Sequence, residues 1–198
     1  PSTNITFPQD TRIRYEIIED LPLWQKRNEL VKRAKGQIIM HMDDDDYYFP
    51  ESIVTKLKLL TKYAQQGIEC IGCTELGVYH LIENYSYLTT EGKYIAEASM
   101  AYYRTFWEKQ QFAQEGLKYG EGYSFTKGRE QQVMTMPYMF NFIALTHYDN
   151  ITGALRTHNR TSKQDYGNFF NLWDEMTKLF ILELKQKAIK ANKQKQIK

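Results

Sequence analysis

Apolar and polar positions alternate in two rhythms along the chain. Between residues 12 and 18, Ile13, Tyr15 and Ile17 fall on every second position, the period of a strand. Leu23, Trp24, Leu30, Val31 and Ala34 then recur at helical spacing, and Gly36 is a natural residue to close that helix. Residues 37–42 form a short apolar run of the kind a buried strand shows. The run ends in four consecutive aspartates, Asp43, Asp44, Asp45 and Asp46. Pro50 and Glu51 open a second helix, with Ile53, Leu57, Leu60 and Ala64 as its stripe and Gly67 as its stop. Residues 69–73 read as a further strand. The order strand, helix, strand, acidic turn, helix, strand predicts an α/β fold with a largely parallel sheet.

The second half is less regular. Residues 78–82 and 85–89 predict an antiparallel pair, 103–112 and 125–134 two helices, and 138–145 a strand. From 168 to 190, Phe169, Trp173, Met176, Phe180 and Leu184 mark a long amphipathic helix with a lysine-rich end. The expected division is residues 1–165 as one α/β domain and 166–198 as a C-terminal helix and basic tail.

Composition narrows the function. The 198 residues, 42% of them hydrophobic and 14% aromatic, suit a domain with a substantial core rather than a disordered chain. No stretch has the roughly 18 apolar residues of a membrane span. A net charge of +2 is not the basic field of a nucleic-acid binder. Cys70 and Cys73 have C-x-x-C spacing, but with no second pair they read as buried thiols. Asn4 and Asn84 open glycosylation-type tripeptides; with no secretory signal visible, the expected location is cytoplasmic.

The acidic turn is the most informative place. Like charges crowded at the carboxyl end of a buried strand repel, and the carboxyl ends of strands are where α/β sheets bind ligands. A divalent cation on hard carboxylate oxygens relieves the repulsion, and Mg²⁺ or Mn²⁺ fits better than Zn²⁺ because no Cys/His cluster lies nearby. The other reading is a solvated loop whose acids favour the following helix N-terminus. Arg27 shares a helical face with Leu23, Leu30 and Ala34, so it points towards the sheet. There it meets either a ligand's phosphates or one of the aspartates.

Lys26-Arg27-Asn28-Glu29-Leu30, Ala34-Lys35-Gly36-Gln37-Ile38-Ile39, Asp43 to Asp46 and Pro50-Glu51 together resemble the central block of family 2 glycosyltransferases of the GT-A fold. The resemblance implies a nucleotide-diphospho-sugar transferase fold, Rossmann-like, with a mostly parallel sheet flanked by helices. It implies metal binding by the D-x-D pair Asp43 and Asp45, and donor contacts from Arg27, Asn28, Asp43 and Asp44. Family members begin with a strand, a helix and a second strand, which this sequence is expected to lack. Residues 99–104 resemble the segment lining the family's acceptor pocket. Gly120-Glu121-Gly122-Tyr123-Ser124-Phe125 resembles its G-E-D-x-x-F stretch, with Gly122 in place of the usual Asp. Glu121 is then the nearest carboxylate able to act as base, or a plain helix cap.

The segment around His147 resembles a late loop whose histidine can complete the metal shell; Arg156 and His158 are weaker phosphate contacts. Tyr102, Trp107 and Tyr123 are candidates to stack on sugar faces, or core residues. The expected reaction is metal-dependent transfer of a sugar from a nucleotide-diphosphate donor to an acceptor hydroxyl, such as a glycan's, with inversion. Membrane-surface association through the C-terminal helix is the accompanying partner expectation. The rivals are a metal-dependent nucleotidyltransferase and a non-catalytic carbohydrate-binding or scaffold domain.

Overall fold

A computed structural model describes residues 10–89, 92–113, 121–146 and 169–196. The strands in chain order are β1 (Ile38–Met40), β2 (Tyr47–Tyr48), β3 (Cys70–Gly72), β4 (Gly77–His80), β5 (Tyr85–Leu88), β6 (Ala101–Tyr103), β7 (Val133–Thr135) and β8 (Phe142–Thr146). The helices are α1 (Leu23–Arg33), α2 (Ser52–Tyr63), α3 (Arg104–Lys109), α4 (Glu121–Thr126) and α5 (Glu175–Gln196). The strands form two four-stranded sheets, ordered β1-β6-β3-β7 and β2-β8-β4-β5.

The chain is mixed α/β with mixed sheets. β3–β7 and β4–β8 pair in parallel. β1–β6, β2–β8, β3–β6 and β4–β5 pair antiparallel, so antiparallel contact is the commoner kind among the described residues. This corrects the expectation of a mostly parallel sheet. β1, β3 and β7 do run the same way, but β6 returns between β1 and β3 against them. Local periodicity reports which elements form, not that a later strand inserts between two earlier ones.

Both faces of the first sheet are covered, as its apolar strands require. Ile39, Cys70 and Tyr102 pack with Val31, Phe106, Trp107 and Phe125 on one side. Ile71, Ala101 and Met136 pack with Leu60 of α2 on the other. α5 closes the second sheet, where Ile181 and the preceding Trp173 join Tyr79, Ile143 and Leu145. Among the described residues no helix is long and apolar enough to cross a membrane.

Several local expectations change. From residue 13 to 18 the chain joins no sheet, and Ile13, Tyr15 and Ile17 are exposed. It is tied to α1 instead: Arg14 Nη2 donates to the Arg33 carbonyl at 2.8 Å, and Arg33 pairs with Glu16. α1 ends at Ala34 in an extended conformation, not on a left-handed Gly36. Arg104 takes the orphaned carbonyls, donating to Val31 (3.0 Å), Ala34 (2.5 Å) and Gly36 (3.1 Å). Gly67 does stop the second helical stretch, at φ 84°. The predicted helix over 125–134 is instead α4, broken by Gly128 at φ 77°, then a 3-10 turn (Glu130–Gln132) and β7. The helix over 103–112 shortens to α3, and the strand over 138–145 starts later, as β8.

Helical phase shifts too. The buried face of α2 is Ser52, Lys56 and Leu60, while Ile53 and Leu57 are exposed. On α5, Met176 and Phe180 are exposed and Ile181 is buried.

Candidate active site

α1 turns Arg27, Asn28 and Val31 inwards; Leu23 and Leu30, expected on that face, are exposed. Past the end of β1 the chain delivers buried His41 and half-buried Asp43, and α4 begins with buried Glu121. These segments converge on one guanidinium. Arg27 donates from Nη1 and Nη2 to Oδ1 and Oδ2 of Asp43 at 3.2 and 3.3 Å, and from Nε to Oε1 of Glu121 at 3.0 Å. Burial works against the Arg27 charge, but Asp43, then Glu97 and Glu121, outweigh it and hold its pKa above the ordinary arginine value. The Asp43 side chain keeps 35% of its exposure against 9% for Arg27 and 8% for Glu121, so it is the member of the trio that faces outwards.

The turn itself is anchored at both ends. The Asp43 amide donates to the Tyr48 hydroxyl at 2.8 Å, and that hydroxyl donates to the Ala98 carbonyl at 3.1 Å. Burial, then the charge of Asp46, holds the Tyr48 pKa well above the usual tyrosine value, so it remains a donor. Asp46 Oδ1 accepts the Leu145 amide of β8 at 3.1 Å. Asp44 and Asp45 stand exposed at the tip, beside a cavity of about 470 Å³ that Tyr47, Leu145, Phe180 and Leu184 also line.

Asn28 is placed differently from Arg27. Its Oδ1 accepts from Trp107 Nε1 at 2.9 Å and from the Phe112 amide at 3.1 Å, and its Nδ2 donates to the Phe112 carbonyl at 2.8 Å. It clamps the end of α3 rather than reaching the trio. Residues 99–102 lie in the core, and Tyr102 and Trp107 are buried there. Half-buried Tyr123 packs on Tyr94 with ring centroids 4.4 Å apart. The site candidates His147, Arg156 and His158 lie outside the described residues.

Three neighbours had no sequence signal of their own. His41 Nε2 lies 2.7 Å from the Tyr102 hydroxyl, and burial, reinforced by the charges of Arg27 and Lys56, lowers its pKa to about 3. It is therefore neutral at physiological pH. Glu97, in the 3-10 turn before β6, accepts the Gly122 amide at 2.5 Å. Lys56 is fully buried, with its Nζ 5.6 Å from the Tyr48 ring centre, and burial lowers its pKa to about 8.

Among the described residues no three His, Cys, Asp or Glu side chains form a group that could hold a metal ion. Mg²⁺ and Mn²⁺ commonly need only one or two protein carboxylates, the remaining positions going to substrate phosphates and water. The donor chemistry of Asp43 and Asp45 fits such an ion. Comparison with protein-family models and with curated proteins finds no match to the chain.

Proposed function

We propose that the chain is a metal-dependent glycosyltransferase of the GT-A type, moving a sugar from a nucleotide-diphosphate donor to an acceptor hydroxyl with inversion. One observation carries the reading. Arg27, Asp43 and Glu121 come from three separate segments, each of which resembles a different part of the family pattern, and they meet in one hydrogen-bonded trio. A purely structural resemblance in sequence does not require that convergence.

Asp43 and Asp45 would hold the divalent ion, whose chemistry when bound is Lewis-acid stabilisation of the leaving diphosphate. Arg27 supplies a fixed guanidinium fork at the same place, suited to charge developing on phosphate oxygens. Glu121 takes the proton from the acceptor hydroxyl as the O–H bond breaks. The acceptor oxygen's electron pair forms the bond to the anomeric carbon. The bond from that carbon to the diphosphate breaks, and its pair leaves with the diphosphate. Attack from the opposite face inverts the configuration. The Tyr48 and Asp46 hydrogen bonds hold the turn against β2 and β8 while this happens.

A thermal-shift screen of UDP-, GDP- and dTDP-sugars with and without Mn²⁺ tests the reading. Metal-dependent stabilisation by a sugar nucleotide is expected, and Asp43→Ala or Asp45→Ala abolishes it. Glu121→Gln keeps the stabilisation but lowers turnover by about 10²- to 10⁴-fold. Stabilisation only by a nucleoside triphosphate with Mg²⁺ replaces the reading with phosphoryl chemistry. Sugar-nucleotide binding that ignores Asp45→Asn and gives no turnover replaces it with carbohydrate binding.

A further inference from the structure

We propose that the outer face of α5 docks on an anionic lipid membrane, its first turns entering the headgroup region and its lysines meeting lipid phosphates. The proposal stands apart from the glycosyltransferase reading and needs neither metal nor donor.

α5 is fixed to the rest of the molecule along one side. Ile181 is buried with Tyr79, Ile143 and Leu145, and Leu184 packs against the same cluster. Asp174 caps the start of the helix, its Oδ1 accepting the Thr177 amide at 2.9 Å and its Oδ2 the Thr177 hydroxyl at 2.7 Å. The opposite side is thereby presented outwards. There Met176, Leu179 and Phe180 keep 75%, 61% and 56% of their exposure, and Leu182 at the edge keeps 44%. Single exposed apolar residues are ordinary. Four large ones within residues 176–182 make a patch, and an apolar patch rimmed by polar groups marks a docking surface.

Charge selects the occupant. Past the patch the helix turns basic: residues 184–198 hold six lysines and no aspartate or glutamate. The helix dipole favours cations only in the last turn. α5 ends at Gln196, whereas the lysines begin about three turns earlier, at Lys185. Glu183, the acid on the outer face, is paired with Lys187 at 2.7 Å, so it leaves the basic surplus in place. A protein partner fits this surface poorly, because ammonium groups are strongly hydrated and lysine is scarce at the centres of protein interfaces. A nucleic acid would meet the lysines but gain nothing from Met176 and Leu179. An anionic bilayer satisfies both halves. The apolar side chains enter the boundary between headgroups and acyl chains, and the long lysine stems carry their ammonium groups to the phosphates.

The test is sedimentation of the whole chain with phosphatidylcholine vesicles, with and without phosphatidylglycerol. Binding about tenfold tighter or more is expected on the anionic vesicles, and added salt should weaken it. Lys185→Gln/Lys190→Gln should weaken it by about tenfold or more. Met176→Gln/Leu179→Gln, which keeps every lysine, should weaken it by about tenfold. None of these four side chains is buried, so circular-dichroism melts of both variants should match the parent chain. No binding, equal binding to both kinds of vesicle, or binding that ignores either pair of substitutions overturns the proposal. Self-association in analytical ultracentrifugation that Met176→Gln/Leu179→Gln abolishes, without vesicle binding, assigns the face to a second copy of the chain and likewise overturns it. The assay contains no sugar nucleotide, so its outcome is separate from that of the donor screen.

Discussion

The Nε of Arg27 donates to Oε1 of Glu121 at 3.0 Å, joining helix α1 to helix α4 across 94 residues of sequence. The same guanidinium forks onto Asp43, so removing it strands two carboxylates in a partly buried place. Arg27→Ala is expected to cost about 3–5 kcal/mol in urea denaturation. Arg27→Lys should recover less than half, because an ammonium cannot reproduce a planar fork and a third directed bond.

Asn28 gives the contrasting outcome. Asn28→Leu leaves Trp107 Nε1 and the Phe112 amide and carbonyl unpaired in the interior. The expected loss is about 2–3 kcal/mol of stability. Sugar-nucleotide affinity, read by titration calorimetry on the folded fraction, should be unchanged. A large affinity loss at intact stability would show that Asn28 also contacts the donor.

Lys56 destabilises the fold near neutral pH. Its pKa falls from 10.5 to about 8, so folding disfavours the proton that the unfolded chain keeps. The penalty is full below pH 8, shrinks between pH 8 and 10.5, and vanishes above. Lys56→Met should therefore stabilise the chain by about 2–3 kcal/mol at pH 7. The gain should disappear in denaturation curves measured above pH 10.5.

His41 has the complementary signature on the acid side. A pKa of about 3 against 6.5 means that folded His41 stays neutral while the unfolded chain binds a proton. Its contribution is intact above pH 6.5 and is lost progressively as pH falls towards 3. Between pH 7 and pH 5 the parent chain should lose about 2 kcal/mol more than His41→Gln, measured by paired urea titrations.

Much of the trio was legible before the fold was known. Arg27, Asp43 and Glu121 sat in recognisable blocks, and the inward aim of Arg27 followed from its helical position. The face itself was misread, because Arg27, Asn28 and Val31 are buried where Leu23 and Leu30 are not. Hydrophobicity predicts burial only when solvent transfer dominates, and here a charge network draws polar residues inwards. On α2 no such network is at work: Lys56 is buried over the Tyr48 ring with no hydrogen-bond partner for its Nζ among the described residues, and Ile53 and Leu57 are left outside. Glu97 was invisible because its partner is a backbone amide 25 positions away, and no periodicity encodes such a bond. The strand reading of residues 12–18 failed because alternation names a face without supplying a neighbour to pair with.

The acidic turn joins β1 of one sheet to β2 of the other, and side-chain hydrogen bonds hold both of its ends. Asp43 is held through Arg27 and Tyr48 to α1 and the segment before β6, Asp46 to the Leu145 amide of β8. A load applied to the exposed tip at Asp44 and Asp45 is therefore carried into both sheets at once. Occupancy of that tip should be felt as mechanical coupling, with amide-exchange rates in β6 and β8 slowing together rather than one by one.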